Sequence, residues 1–254
     1  MRRDAAQRRD EIIALLSKSD VLSASELSTE LSVSVQTIRA DLRDLDEAGL
    51  VQRRNGNVRL RQQSENIGYL PREGIARQEK QRIALAVKNL IPDGARVALG
   101  TGTTVETCAR FLASHKDLFV ASNSIHAVCA LQHAPGVAVE LAGGTVRMRD
   151  LDMIGTSALE FFARYRVDYA VFSCGGLSEA GGVMDYNADE VTARRAIAGC
   201  GNKRILVMDS TKKGLDLAFQ TGPVWEVDVI VTGARFSASV AESCARHGCQ
   251  IVQV

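Results

Sequence analysis

The chain has 254 residues, of which 46% are hydrophobic and 24% charged, and its 31 basic and 30 acidic side chains give a net charge of +1. This is the composition of an ordinary globular protein with room for about two domains, and the charge excludes a generally basic nucleic-acid coat protein. The six cysteines lack C-x-x-C spacing, so we expect neither a disulfide framework nor a metal site, and we predict no cofactor.

The first 61 residues show the pattern of three short helices followed by a hairpin. A capping box, Ser23 to Glu26, opens a helix that ends at Leu31, and Ser34 follows a tight turn where it can cap the next helix. In that next helix, apolar residues at three- and four-residue spacing predict one buried face: Val35, Ile38, Leu42 and Leu45. Asn55-Gly56 then favours a type I′ turn between two short strands.

A helix-turn-helix followed by a basic hairpin, or wing, is the architecture of a protein that reads duplex DNA. The outer face of the recognition helix would read bases and the wing would neutralise phosphates. The candidate DNA-binding residues are Ser34, Gln36, Thr37, Arg39, Ala40, Arg43, Arg53, Arg54, Asn55 and Arg59. The alternative is a small helical bundle with a solvated charged face, because residues 1–61 hold 11 basic and 10 acidic side chains. The order of the elements favours DNA binding.

Four further arginines form a basic arm before and at the start of the first helix: Arg2, Arg3, Arg8 and Arg9. This arm would either contact the DNA backbone or remain a solvated terminus. The residues alone do not decide between the two.

Residues 62–77 lose hydrophobic periodicity and collect Gly68, Pro71 and Gly74, which predicts a linker. We therefore predict a winged helix-turn-helix domain over 1–61, a linker over 62–77 and a larger domain over 78–254. The larger domain begins with an amphipathic helix over 78–90, after which short β-branched runs alternate with helical segments. This alternation predicts an α/β fold with a mainly parallel sheet. The predicted strands are 97–99, 118–121, 137–141, 168–173, 204–209, 227–232 and 251–254.

Glycine- and hydroxyl-rich loops follow several of these strands. Ligands of open α/β sheets bind beyond the carboxyl ends of the strands, so we expect the loops to converge on one crevice. The loop 100–104 offers backbone N–H groups and a helix N-terminus to an anion, and Lys212 adds a positive charge. One such loop is usually only a tight turn, whereas several together predict a site for a small phosphorylated metabolite. The candidate effector-binding residues are Gly100, Thr101, Gly102, Thr103, Thr104, Ser122, Asn123, Arg149, Gly175, Gly176, Glu190 and Lys212.

An ordered series of short segments runs through the chain: Thr37-Ile38-Arg39 with Asp41-Leu42, Glu79-Lys80, Gly102-Thr103-Thr104, Ser122-Asn123-Ser124, Leu141-Ala142-Gly143-Gly144, and Asp209-Ser210 with Lys212. In this series the chain resembles the DeoR family of bacterial sugar-metabolism repressors. The resemblance implies an operator-binding domain and a Rossmann-like sensor related to ribose-5-phosphate isomerase, whose sugar-phosphate effector releases the repressor from DNA. Within the family, residues 147–155 and 190–197 are most similar to the glycerol-3-phosphate repressor group.

The chain also departs from the family pattern. Ala40 stands where a second arginine is usual, which removes one DNA contact, and Asn55-Gly56-Asn57-Val58 replaces the usual His-Gly-Gly-Ala of the wing. Gly100 stands where the family usually has an acidic residue. A carboxylate is a natural acceptor for sugar hydroxyls, so this departure puts their recognition in doubt.

The alternative function is enzymatic: an aldose–ketose isomerase fused to a DNA-binding domain. Such a reaction needs a positioned general base, and residues 171–176, where related isomerases carry an acidic cluster, contain no acid. A sensor that has lost its ligand is a third possibility, against which the retained Lys212 and the loop 100–104 argue. We therefore favour a non-enzymatic regulator.

We expect a homo-oligomer, a dimer or a tetramer, bound to double-stranded operator DNA, because one recognition helix reads too few base pairs to define a genomic address. The sequence shows neither a charged-then-apolar leader nor an apolar run approaching the ~20 residues that span a bilayer. We therefore expect a cytoplasmic protein with no membrane partner.

Overall fold

The computed structural model describes residues 5–16, 19, 21–47, 50–54, 56–60 and 69–254. The chain divides into two compact units, residues 1–77 (unit 1) and residues 78–254 (unit 2). Within the described ranges, no helix is both long enough and apolar enough to cross a membrane.

Unit 1 is a helical bundle with a small antiparallel sheet. Its elements are α1 (Ala5–Leu16), β1 (Leu22–Ser23), α2 (Ala24–Leu31), α3 (Val35–Glu47), β2 (Val51–Arg54), β3 (Asn57–Leu60) and α4 (Tyr69–Gly74). The strand order is β1-β3-β2. The two residues of β1 were not predicted, and they add a third strand to the predicted hairpin. Three of the four apolar residues predicted for the inner face of α3 are buried, Ile38, Leu42 and Leu45, and Val35 is half-buried.

Local hydrogen bonds explain where the helices of unit 1 begin. Ser23 caps α2 by accepting a bond from the backbone N–H of Glu26, whose side chain accepts one from the backbone N–H of Ser23, so the predicted capping box is confirmed. Ser34 Oγ accepts from the backbone N–H of Thr37 at 3.1 Å and so caps the start of α3. The hairpin turn contains Gly56 at a φ of +80°, whereas Asn55 lies outside the described residues.

Part of the segment predicted as a linker is helical. Residues 69–74 form α4, and the side chain of Tyr69 is buried. Pro71 is the third residue of this helix, where its missing N–H removes no helical hydrogen bond, so the proline does not prevent a helix there. Helix α5 (Arg77–Leu90) begins one residue before the predicted start, and the backbone N–H of Arg77 donates to Asp10 at 3.2 Å.

Unit 2 alternates strands and helices along most of its length. Its elements after α5 are β4 (Arg96–Leu99), α6 (Thr103–Leu112), β5 (Leu118–Ser122), α7 (Ile125–Leu131), β6 (Val137–Leu141), β7 (Val146–Arg147), β8 (Asp152–Met153), α8 (Thr156–Ala163), β9 (Val167–Phe172), β10 (Gly176–Leu177), β11 (Gly182–Asp185), α9 (Ala188–Cys200), β12 (Gly201–Met208), β13 (Phe219–Pro223), β14 (Val229–Thr232), α10 (Ala238–His247) and β15 (Gln250–Gln253). Single 3-10 turns lie at Ser210–Lys212 and Val224–Glu226.

The main sheet has seven strands in the order β15-β14-β12-β9-β4-β5-β6, and every pair is parallel. All seven predicted strands lie in this sheet, so the predicted α/β fold with a parallel sheet is confirmed. Alternate strand residues enter different apolar clusters: Val97 and Leu99 pack into one, and Ala98 packs into the other. Both faces are therefore covered, as the continuous apolar strands predict.

The strand order places a switch point between β4 and β9. From β4 the chain adds β5 and β6 on one side, and from β9 it adds β12, β14 and β15 on the other. The loops that leave β4 and β9 consequently separate to opposite faces, which opens a crevice at the carboxyl ends of these two strands. There are two smaller sheets. Sheet β7-β8 follows β6 in the chain, and sheet β10-β11-β13 combines two strands that follow β9 with one that follows β12.

Candidate DNA interface and effector site

The outer face of α3 is available to a partner. Gln36, Arg39, Ala40 and Arg43 are exposed, and the two arginines make no side-chain hydrogen bond or ion pair with other described residues. Ser34 and Thr37 are less free, because Ser34 Oγ caps the helix and also contacts Thr37 Oγ1 at 2.8 Å. The helix therefore presents a polar, partly cationic ridge.

Arginines from α3 and from the wing converge on one groove. The groove has a volume of about 580 Å³, and Arg39, Arg53 and Arg54 line it beside the start of α2. The acidic residue Asp46 also lines it. Arg59 points elsewhere, since its guanidinium donates to Gln52 Oε1 at 2.6 and 3.0 Å across the hairpin. Of the remaining predicted DNA-binding residues, Asn55 lies outside the described residues.

Two arginines of the basic arm form ion pairs with α3. Arg8 binds Asp41 of α3 through Nε at 2.5 Å and Nη2 at 3.1 Å, and Arg9 binds both Asp41 and Asp44. These contacts brace α1 against the recognition helix, so Arg8 and Arg9 are not simply solvated, and their contact with the DNA backbone stays a prediction. Arg2 and Arg3 lie outside the described residues.

In unit 2, the crevice between β4 and β9 receives the N-terminus of α6. Gly102 occupies the N-cap position with a φ of +113° and offers no side-chain cap, so the first N–H groups of α6 have no capping acceptor. The side chains of Thr103 and Thr104 are buried, and Thr104 Oγ1 has no hydrogen-bond partner among the described residues. A Cβ on Gly102 would lie 3.9 Å from Ser173 Cβ, which places this loop next to the end of β9.

Two lysines contact this same region. Lys80 of α5 is 3% exposed, and its Nζ donates to Thr103 Oγ1 at 2.9 Å. Lys212 Nζ donates to Ser173 Oγ at 2.9 Å and to the carbonyl of Cys174 at 2.5 Å. We call the start of α6 with Ser173, Lys80 and Lys212 the switch-point site. It combines two ammonium groups with a positive helix end, an arrangement suited to an anion.

Lys80 was missing from the predicted site residues, although the sequence contains a signal for it. Lys80, Ile83, Ala84 and Val87 share the buried face of α5. A lysine at an apolar position of an amphipathic helix is costly to bury unless it is bonded, so it marks a buried polar partner.

Glu79, the neighbour of Lys80, fixes α5 to two other loops. Its carboxylate accepts bonds from the backbone N–H and the hydroxyl of Ser210, both at 2.7 Å, and from the N–H of Gly233 at 3.0 Å. Burial, together with the nearby charge of Asp209, raises the pKa of Glu79 above its ordinary value. The loops after β12 and β14 are thereby tied to the start of α5.

A second group of polar residues surrounds a small inner cavity of about 10 Å³, which is lined by Thr101, Asn123, Arg147, Asp152, Glu190 and Arg194 with three apolar side chains. Arg147 binds Asp152 through Nε and Nη2 at 2.9 and 2.8 Å, and binds Glu190 through Nη1 at 2.7 Å. Asn123 is fully buried and its Nδ2 donates to the carbonyl of Met153, whereas its Oδ1 has no partner among the described residues.

Electrostatics keep Glu190, one of the two acids that line this cavity, ionised. Burial would raise the pKa of Glu190, but the charges of Arg194 and Arg147 outweigh it and hold the pKa below the ordinary value. Arg194 is itself anchored by Asp185 at 2.6 and 2.7 Å and also donates to the carbonyl of Ser173. Glu190 therefore faces the cavity as a carboxylate, which accepts hydrogen bonds and cannot donate them.

The structure unites three predicted residues, Thr101, Asn123 and Glu190, around the inner cavity. It brings Gly102, Thr103, Thr104 and Lys212 together at the switch-point site. Arg149 is apart from both: it is exposed, lies 3.9 Å from Asp150, and does not line the inner cavity.

Four other predicted residues have packing or bracing roles in the structure. A Cβ on Gly175 would lie 2.9 Å from Leu217, and one on Gly176 would lie 2.6 Å from the carbonyl oxygen of Leu215, so close packing demands both glycines. Gly100 likewise packs near Phe172, and its N–H donates to Val171. Ser122 Oγ donates to the carbonyl of Leu99.

A winged helix-turn-helix followed by an α/β unit with a polar crevice defines the class of ligand-responsive DNA-binding proteins. Residues 8–64 match the DeoR-like helix-turn-helix domain, and residues 75–234 match the DeoR C terminal sensor domain. The chain therefore belongs to the DeoR family of transcriptional regulators, which confirms the resemblance seen in its sequence.

Two relatives from Escherichia coli (strain K12) illustrate the match. The HTH-type transcriptional repressor CsqR is 34% identical over 89% of this chain and 86% of its own length. The glycerol-3-phosphate regulon repressor is 32% identical over 96% of this chain and 97% of its own length. Among solved structures, ribose 5-phosphate isomerase A from Methanocaldococcus jannaschii aligns with a TM-score of 0.38 at 17% identity over 53% of each chain. Because both relatives are named as repressors, the chain is a DNA-binding regulator and the isomerase alternative is not favoured.

Proposed function

We propose that this regulator represses an operon for the use of a carbohydrate or of glycerol phosphate, and that a small phosphorylated sugar or polyol releases it from its operator. One observation carries the effector half: Lys80 and Lys212 both reach the loops beside the uncapped start of α6. A phosphate there would gain charge-assisted bonds from two lysines and from backbone N–H groups. The name of one relative, the glycerol-3-phosphate regulon repressor, supports the class of operon.

For the DNA half, α3 enters the major groove and the wing arginines contact phosphates. Gln36, Arg39 and Arg43 are the base-reading candidates, because they are exposed on the outer face of α3. Arg53 and Arg54 are the phosphate-binding candidates, because they line the groove beside α3. The working chain is a cytoplasmic homo-oligomer, since two or more recognition helices are needed to specify a site in a genome.

We assign DNA binding to residues 1–61, a connection to residues 62–77 and effector sensing to residues 78–254. Helix α5 begins at Arg77, and two and three residues later it carries Glu79 and Lys80, which bond to loops of the sensor. An effector phosphate that takes the place of Thr103 as a partner of Lys80 would change the forces on this helix. Release of DNA requires that the effector bind the DNA-free state more tightly than the DNA-bound state.

The effector half is tested with a matched pair of variants, Lys212→Met and Lys213→Met. Lys213 is the next residue along the chain and forms a surface pair with Glu179 at 3.7 Å. Thermal shifts with a panel of sugar and polyol phosphates identify compounds that stabilise the wild-type protein, because a ligand that binds only the folded state raises its stability. Lys212→Met should abolish these shifts and the release from promoter DNA, whereas Lys213→Met should retain both. A fully inducible Lys212→Met protein would refute the phosphate site.

The DNA half is tested by the salt dependence of binding to the protein's own promoter. Arg53→Ala should weaken binding and reduce the slope of log K against log salt by about 0.9 for each protomer bound, since every protomer loses one phosphate contact. Lys116→Ala removes an exposed cation of unit 2 and should leave the slope unchanged. Equal slopes for wild-type protein and Arg53→Ala would remove Arg53 from the interface.

A further inference from the structure

The inner cavity is too small for the carbon chain of any sugar phosphate. Its volume of about 10 Å³ holds roughly one water molecule. Yet it lies where Thr101, from the loop that leads into the switch-point site, meets Asn123 and Glu190. An effector with its phosphate at the switch-point site would extend its carbon chain toward these residues. A side chain that lines the cavity must therefore move to make room.

One hydrogen-bond acceptor of the cavity lacks a donor among the described residues. Asn123 Oδ1 has no partner among the described residues, although Asn123 is fully buried. Glu190 is ionised and accepts from Arg147. A buried acceptor without a donor is unfavourable, and hydroxyl groups are the donors that a sugar or polyol carries. The chemistry of the cavity therefore fits the hydroxylated end of a ligand rather than a second phosphate.

The residue that can make room is Arg147, because its departure from Glu190 leaves neither charge isolated. On its own hairpin Arg147 is paired in register with Asp152, whose carboxylate it binds twice. Glu190 retains the neighbouring charge of Arg194, which is anchored separately by Asp185. Breaking a buried ion pair is costly when it strands a charge, and here each partner keeps a counter-charge. The Arg147 side chain is also 21% exposed, so it has a path to solvent.

We propose that the guanidinium of Arg147 occupies the place of the effector's hydroxyl groups, and that a hydroxylated effector displaces it from Glu190 and donates to Glu190 and Asn123 in its stead. This inference rests on the proposed function for the position of the phosphate. It adds that the sensor distinguishes a sugar or polyol phosphate from inorganic phosphate, because only the former displaces Arg147.

The test uses the full-length protein in calorimetric titrations with inorganic phosphate, glycerol 3-phosphate and fructose 6-phosphate, and with free glycerol and fructose. The first variant is the double substitution Arg147→Met/Asp152→Asn, which removes both members of the hairpin pair so that Asp152 is not left as an unpaired buried charge. It should bind at least one of the two hydroxylated phosphates about tenfold more tightly than the wild-type protein, with no change for inorganic phosphate. Arg166→Met, at an exposed arginine, is the control and should leave every affinity unchanged.

Adding Glu190→Ala to the double variant should then abolish the gain while inorganic phosphate still binds equally. Weaker binding of the hydroxylated phosphates by the double variant would show that Arg147 is a ligand contact and would overturn the inference. So would identical affinities for inorganic and hydroxylated phosphates in every variant. Suppose that Lys212→Met binds the phosphates with wild-type affinity, while the affinity for free fructose or glycerol still rises in the double variant and falls again with Glu190→Ala. That result would refute the phosphate site and support the hydroxyl site. A protein that binds none of the five compounds refutes both.

Discussion

The pairing of Asp41 with Arg8 and Arg9 predicts how much the DNA-reading unit depends on a single buried carboxylate. Asp41 has a side chain 3% exposed and accepts three bonds from the two arginines. Hydrogen bonds to charged groups contribute about 1.5–3 kcal/mol each, but the Arg8 and Arg9 side chains are 13% and 36% exposed and regain water when Asp41 is removed. We therefore expect Asp41→Ala to destabilise unit 1 by about 3 kcal/mol, at the lower end for a broken buried pair.

Asp44→Ala provides the matched control on the same helix. Asp44 is 47% exposed and pairs with Arg9 alone among the described residues, so its loss should cost about 0–1 kcal/mol. The assay is native-state amide hydrogen exchange with mass spectrometry. Asp41→Ala should accelerate exchange in peptides from α1 and α3 by roughly 100-fold, while peptides from the sheet of unit 2 stay unchanged. An acceleration below about threefold, or an equal one in Asp44→Ala, would refute the reasoning.

Three further predictions concern unit 2. The folded-state pKa of Glu190 lies below its ordinary value of 4.5. The ionised Glu190 therefore stabilises the fold above pH 4.5, and this stabilisation is lost as the pH falls through the folded pKa. Urea unfolding of Glu190→Gln should lack this acid-dependent loss. Gly233→Ala would place a Cβ 2.3 Å from Glu79 Oε1 and should lower the urea midpoint, whereas Gly199→Ala, in open space on α9, should stabilise by about 0.5–1 kcal/mol. Iodoacetamide should label the exposed Cys129 of the native protein, whereas buried Cys108, with its raised pKa, should react only after unfolding; labelling of both at one rate would contradict the burial.

The large elements of this fold could be read from the sequence because each has a strong local signal. The seven parallel strands are buried on both faces and therefore appear as continuous apolar runs. The starts of α2 and α3 are indicated by serine caps. The two-residue strands β1, β7, β8 and β10 carry no periodicity to read. They exist because distant segments pair with them, as Leu22 pairs with Val58, and such pairing is a property of the tertiary fold.

The candidate site was predictable to the extent that it follows from topology. The carboxyl ends of β4, β5, β9 and β12 had to meet at one edge, which placed Thr103, Asn123 and Lys212 correctly at that edge. Ion pairs between distant residues were not predictable, because nothing in the local sequence pairs Arg8 with Asp41 or Arg194 with Asp185. Glycines raise the same difficulty, because a glycine that makes room for a ligand and one that makes room for a leucine, such as Gly175, look alike in the sequence.

The segment 147–150 contains two arginines, and the sequence alone does not show which of them lies at the effector site. Two residues apart, Arg147 and Arg149 would share one face if β7 continued, so sequence spacing cannot choose between them. The strand ends at Arg147, however, and the chain turns through residues 148–151, with Leu151 at a φ of +46°. That turn leaves Arg147 opposite Asp152 and directs Arg149 to the surface. Arg149→Met should accordingly keep wild-type affinity for every hydroxylated phosphate that the Arg147→Met/Asp152→Asn protein binds more tightly. A loss in Arg149→Met without a gain in the double variant would restore the assignment made from sequence and remove Arg147 from the site.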